Sequence, residues 1–174
     1  MKHSDFITHI NNKEDKVYLR NKHFPVNMRL FNTSKYYKDI ILQQCNYIRE
    51  LCLDTKDGYK KPHGMSSANA GLAFNIIGIT INRNKKDEYC LIMINPKIIH
   101  KEGKIIETLS NCGSLTLEKP IKLKRYSSIY VEFYNEEGNL ASRYFERNEG
   151  AFTIQHEVDH NLGILITDYK HEKI

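Results

Sequence analysis

The sequence is short of cysteine and has no long apolar run, and each shortage excludes a class of protein. Its four cysteines, Cys45, Cys52, Cys90 and Cys112, are spread over 174 residues with no CxxC pairing. That is too sparse for the disulfide framework of a small secreted domain, so reduced thiols are expected, each free to act as a ligand. No stretch approaches the ~18–20 apolar residues that a membrane-spanning helix needs, and the start MKHSDFITHI lacks the continuous apolar core of a secretory signal. A cytoplasmic protein with no membrane partner is expected. Internal repeats and low-complexity tracts are also missing.

What is present is ordinary globular material. Hydrophobic residues make up 40% and charged residues 27% of the chain, away from the composition that keeps chains disordered. At this length one domain over 1–174 is expected, with residues 1–30 as an irregular leader. The net charge of +5 raises the question of a polyanionic partner. However, Lys60-Lys61, the run from Asn82 to Lys86 and the run from Lys122 to Arg125 are short, with Asp87, Glu88 and Glu118 close by. They read as solvated turns, which argues for no specific nucleic-acid partner and leaves a transient ribosome contact open.

Periodicity supplies the elements. Tyr37, Ile41, Gln44/Cys45, Ile48 and Leu51/Cys52 recur every three or four residues, which predicts an amphipathic helix from Ser34 to about Asp54, capped by Asn32, Thr33 or Ser34. Residues 55–70 read as a loop. The apolar runs 76–81 and 89–94 predict a hairpin about a turn at 82–87, after which Asn95-Pro96 ends the second strand and short strands follow at 97–99 and 104–107 around Gly103. A second hairpin is predicted from 129–134 and 140–145. Asn148 then caps a helix carrying Ala151, Phe152, Gln155, Val158 and Leu162, which stops at Gly163. A strand block between two helices defines an α+β fold, with antiparallel or mixed sheets packed around the C-terminal helix and the N-terminal amphipathic helix.

That C-terminal helix carries the chemistry. Gln155-His156-Glu157-Val158-Asp159-His160 contains HExxH. Residues four apart share a helix face, so His156 and His160 can turn two imidazoles toward one ion. Glu157 is rotated by about 100° from His156 and is placed to reach a water on that ion as general base. A catalytic site of this kind needs a third protein ligand. Downstream, Asp168, His171 and Glu172 are poor candidates within the 14 residues that follow His160. Upstream, Cys112 stands in a loop of small residues, as suits either a metal-bound thiolate or a small buried hydrophobe. Cys45, Cys52 and Cys90 fall on predicted core faces. A thiolate ligand admits Fe²⁺, Zn²⁺, Ni²⁺ or Co²⁺.

A Gly-Leu-Ala segment at Gly71-Leu72-Ala73, the Cys112 loop, and Gln155–His160 followed by Leu162-Gly163-Ile164-Leu165 come in the order found in peptide deformylases, and Asn95–Ile99 fits as well. Over roughly residues 34–169 the chain resembles that family. The resemblance implies a hydrolase that removes the N-formyl group from N-formylmethionyl peptides in protein biosynthesis. Cys112, His156 and His160 would hold one divalent ion, iron by resemblance, Glu157 would serve as acid and base, and the backbone N–H of Gly113 would face the oxyanion. Gly71, Leu72, Phe152 and Tyr126 would contact substrate, the last three lining an apolar pocket for methionine. Two departures stand out. The family's first motif has a glutamine whose amide holds the oxyanion; laid along Gly71–Gly78 that position is Ile76, leaving Asn75 as the neighbouring amide. In the second motif Ser110 and Asn111 replace Glu and Gly. These departures support a second class, a metal-binding relative with little or no turnover that serves in peptide binding or regulation, and another small zinc amidohydrolase or peptidase is the third.

Overall fold

The structure is a computed structural model and describes residues 11–53 and 61–171. Its elements are α1 (Asp15–Arg20), α2 (Met28–Thr33), α3 (Lys35–Leu53), β1 (Gly64–Ser66), β2 (Ile76–Ile81), β3 (Tyr89–Ser110), β4 (Ile121–Tyr134), β5 (Leu140–Glu146) and α4 (Ala151–Asn161), with 3-10 turns at Arg147–Glu149 and Ile166–His171. The strands form one antiparallel sheet in the order β1-β2-β3-β4-β5. This is the α+β arrangement expected, with every strand pairing antiparallel. No helix among the described residues is long and apolar enough to cross a membrane.

The sheet lies between two helices, and the two-residue period of its strands explains how. On β2 and β3, Ile76, Cys90, Ile92 and Ile94 join Ile41, Cys45, Ile48, Leu51 and Cys52 of α3 in one core. The alternate residues Ile77, Ile79 and Met93 join Ile129, Val131, Phe145, Ala151, Ile154 and Val158 in a second core beneath α4. Successive side chains on a strand point to opposite faces, so β2 is apolar apart from Thr80 because both faces are covered. Gly78 lets α3 sit close: a Cβ there would lie 2.6 Å from Ile48 Cγ2 and 2.9 Å from Cys90 Sγ.

The structure corrects several expectations about local order. The leader is not irregular over its described part, since α1 forms within it and buries Leu19, and α2 begins at Met28 and runs past it to Thr33; residues 1–10 lie outside the described residues. Ser34 caps α3 by accepting from the Tyr37 N–H (3.3 Å), whereas Asp54 and residues 55–60 lie outside the description. The rest of the predicted loop contains β1. Asn95-Pro96 does not end the second strand. Asn95 takes a left-handed conformation (φ 53°), a bulge absorbs the pair, and β3 continues to Ser110 with further register shifts, as bulges permit for proline in a sheet. The Asn95 side chain accepts from Val26 N and donates to Val26 O, both at 2.8 Å, docking the N-terminal segment on the sheet.

The run from Lys122 to Arg125 is not a solvated turn either. It opens β4, which begins at Ile121 rather than at 129, with Ile121, Leu123 and Arg125 inward and Lys122 and Lys124 outward. Helix α4 starts at Ala151, after Gly150 in the left-handed region (φ 105°), so Asn148 is not its cap. Because the sheet interior is packed without slack at Gly78, Gly78→Ala is expected to cost about 1–3 kcal/mol by forcing α3 outward. Chemical denaturation measures this directly.

Candidate metal centre

The motif on α4 is held from both sides. Gln155 turns toward β4, where its Oε1 accepts from Tyr126 N (3.2 Å) and its Nε2 donates to Tyr126 O (2.9 Å), extending the sheet's hydrogen bonding onto the helix. Asp159 accepts from Arg125 Nη1 at 2.5 Å and from the Tyr169 hydroxyl at 2.8 Å, and Arg125 lies over the Tyr169 ring at 5.1 Å. These contacts set the rotation of α4 and leave His156 and His160 on its remaining face.

There the two imidazoles meet the thiol of Cys112, which the loop after β3 brings back to the helix. His160 Nε2 lies 3.1 Å from His156 Nε2 and 3.2 Å from Cys112 Sγ. The three donor atoms are within 4.8 Å of one another and could hold one metal ion. The donor chemistry fits a cation. Burial, with Arg125 in support, lowers His156 to about 4, and burial holds His160 well below its usual value. Both imidazoles are therefore neutral with lone pairs available. Burial pushes the Cys112 thiol up to about 12, so its thiolate needs a positive charge beside it. A cation among these atoms satisfies three donors that otherwise face one another.

Glu157 is 4% exposed and its Oε2 finds no partner among the described residues. Burial raises its pKa to about 8, against the opposing pull of hydrogen bonds from Ser66. Glu157, His156 and Cys112 line a cavity of about 600 Å³, together with Gly113 and Phe152. The cavity wall at Gly113 is open, since a Cβ there would meet nothing within 4 Å.

Four positions expected at the site lie elsewhere. Leu72 packs into the core beneath α3 and Gly71 forms the turn before it at φ 67°. Tyr126 packs against the core beneath α4, with Lys101 Nζ 5.8 Å from its ring. Asn75 accepts from Asn161 Nδ2 through its Oδ1 (3.0 Å) and does not line the cavity. Ile76 is fully buried, facing α3.

Two amides do line the cavity, Asn111 in the Cys112 loop and the buried Asn69 in the turn after edge strand β1; Asn69 is the one held in place by side-chain hydrogen bonds. Its Nδ2 donates to Ser114 Oγ at 2.7 Å, its Oδ1 accepts from the Ser66 hydroxyl, and Gly64 and Met65 line the same wall. The signal was in the sequence: the five-residue step that lays Gly71 on Ile76 also lays Gly64 on Asn69. Gly71-Leu72-Ala73 is the closer spelling and stands seven residues further along the chain.

This arrangement has relatives. The polypeptide deformylase family matches residues 20–173, and the chain belongs to that family, a family of hydrolases acting in protein biosynthesis. It is 28% identical over 146 residues to the peptide deformylase of Karelsulcia muelleri, covering 74% of this chain and 76% of that one. It is 32% identical over 146 residues to the peptide deformylase of Baumannia cicadellinicola, covering 77% and 83%. In fold it matches a probable peptide deformylase from Synechococcus phage S-SSM7, with a TM-score of 0.73, 24% identity and coverage of 94% and 97%. The family implies a catalytic metal ion and formylated peptide substrates.

Removing Arg125 would leave the mostly buried Asp159 carboxylate without its charge partner. Arg125→Met is expected to destabilise the protein by about 3–5 kcal/mol, while Tyr169→Phe, which removes one neutral donor, costs about 0.5–1.5 kcal/mol. Urea denaturation of the two variants checks the order.

Proposed function

We propose that the protein removes the formyl group from N-formylmethionyl peptides by hydrolysis, with Cys112, His156 and His160 holding one divalent ion and Glu157 moving the proton. The observation that carries this reading is the convergence of one sulfur and two imidazole nitrogens beside a buried carboxylate, in a cavity open to a peptide. An ion bound there supplies Lewis acidity, polarising the formyl carbonyl and bringing the pKa of water toward about 7. Glu157 accepts the proton of the attacking water and returns it to the departing amine. The Gly113 N–H and the Asn69 amide face the oxygen on which charge develops, replacing the donor set first expected from Gly113 and Asn75. Asn69 is one methylene shorter than glutamine, and its anchors Ser66 and Ser114 fix its reach. Phe152 and Met65 supply apolar surface for the methionine side chain. Iron(II) is the proposed native ion, Zn²⁺, Ni²⁺ and Co²⁺ being compatible with the same donors, and nascent chains in the cytoplasm are the proposed substrates, with any ribosome contact transient.

Purified protein prepared without oxygen is expected to release formate from formyl-Met-Ala-Ser. Glu157→Ala should lower kcat by about 100- to 10,000-fold while elemental analysis still finds one metal ion per chain, and Cys112→Ala should lose the ion itself. Retained turnover in Glu157→Ala would contradict the base assignment. Asn69→Ala is expected to lower kcat by about 100- to 1,000-fold with little change in KM, and Ile76→Val to leave both near the parent values. A steady-state comparison of the two variants decides which position carries the amide.

A further inference from the structure

A second cavity, of about 580 Å³, adjoins the first: His63, Arg147 and Thr153 line both. Its other walls carry Arg83, Lys85 and Arg143, with Glu149 as the acidic side chain among its lining residues. Glu149 is already engaged, its Oε2 accepting from the Glu146 N–H at 3.2 Å. The acidic side chains on the neighbouring turn are engaged too. Glu88 takes the Lys61 ammonium and the Asn84 N–H, and Asp87 accepts from Asn82 Nδ2. The lining carries Arg83, Lys85, Arg143 and Arg147 against Glu149, so the cavity keeps an excess of positive charge.

Arg83 is held in place, with Nη1 2.9 Å from His63 Nε2 and Nη2 donating to Lys61 O at 2.6 Å. Its Nε is buried without an acceptor among the described residues. The first turn of α4, which no side chain caps, opens on the same space through Gly150 and Thr153 and adds the positive end of the helix dipole. Arg147 stands at the junction, over the Phe152 ring at 5.3 Å.

We propose that this second cavity binds carboxylate side chains that a substrate peptide carries a few residues after its formylated methionine, so that the enzyme favours chains with acidic early residues. The shared lining supports a peptide as occupant, because a chain held by its first residue at the metal centre continues past Phe152 and Arg147 into the cationic space. The proposal rests on the deformylase reading above.

The test compares formyl-Met-Ala-Asp-Asp with formyl-Met-Ala-Ser-Ser by formate release at low salt. The acidic peptide is expected to have a kcat/KM about three- to thirtyfold higher, and the ratio should fall toward one at about 0.5 M salt. In the double variant Lys85→Gln with Arg143→Gln the ratio should fall toward one at low salt as well. Formate release with equal kcat/KM for both peptides overturns the subsite and leaves the deformylase reading standing. If neither peptide is turned over, that reading falls, and fluorescence anisotropy with dye-labelled Met-Ala-Asp-Asp and Met-Ala-Ser-Ser decides the subsite. Tighter binding of the acidic peptide, lost in the double variant, upholds it; equal binding overturns it. An RNA hairpin whose binding weakens in the double variant, with no preference among the peptides, assigns the cations to a nucleic acid and overturns it too.

Discussion

Arg125 reaches the interior because β4 alternates, and there it meets Asp159 of α4 at 2.5 Å. A guanidinium and a carboxylate taken out of water together are costly to separate, so this contact, with the Gln155 bonds to Tyr126, leaves α4 one rotation against the sheet. The rotation decides everything at the metal centre. His156 and His160 share a face only relative to the helix axis; their meeting with Cys112 requires that face to be turned to the loop after β3. The aspartate of the motif is thus a structural element, and its partner lies on a strand whose sequence looks like a surface charge run.

Burial then sets the chemistry of the groups so positioned. The same exclusion of water that keeps both imidazoles neutral also raises the thiol and Glu157. Neutral imidazoles are what a cation needs, and a thiol reluctant to ionise alone ionises beside one. A carboxyl group raised to about 8 holds its proton at neutral pH, and a cation beside it would lower that value and free the carboxylate to accept one. One physical cause, desolvation, acts on all four groups, and it follows from enclosing the site among α4, the Cys112 loop and the turn after β1.

That turn shows how the motif alignment and the fold diverge. Gly71-Leu72-Ala73 carries the letters of the family's first motif, yet it packs under α3, while Gly64–Asn69 provides the edge strand and an amide beside the Cys112, His156 and His160 cluster. Without a glutamine at either register, spelling alone favoured the wrong one. The role was legible and the position was not, because the choice between them depends on which segment pairs with β2 at the edge of the sheet.

Much of the rest was present in local pattern. Helices α3 and α4, both hairpins, the HExxH pair and the thiol after a strand follow from periods of 3.6 and 2 and from the donor chemistry of the side chains, which need no knowledge of distant contacts. What tertiary structure decided were matters of partnership: that Asn95 bulges and clasps Val26 instead of ending a strand, that Arg125 points inward, that α1 and the start of α2 order a polar leader, and that Asn69 rather than Ile76 or Asn75 faces the cavity. Each depends on a contact between residues far apart in the chain, as Arg125 with Asp159 and Asn95 with Val26 are, and the energy of such contacts exists only once the sheet has brought the segments together.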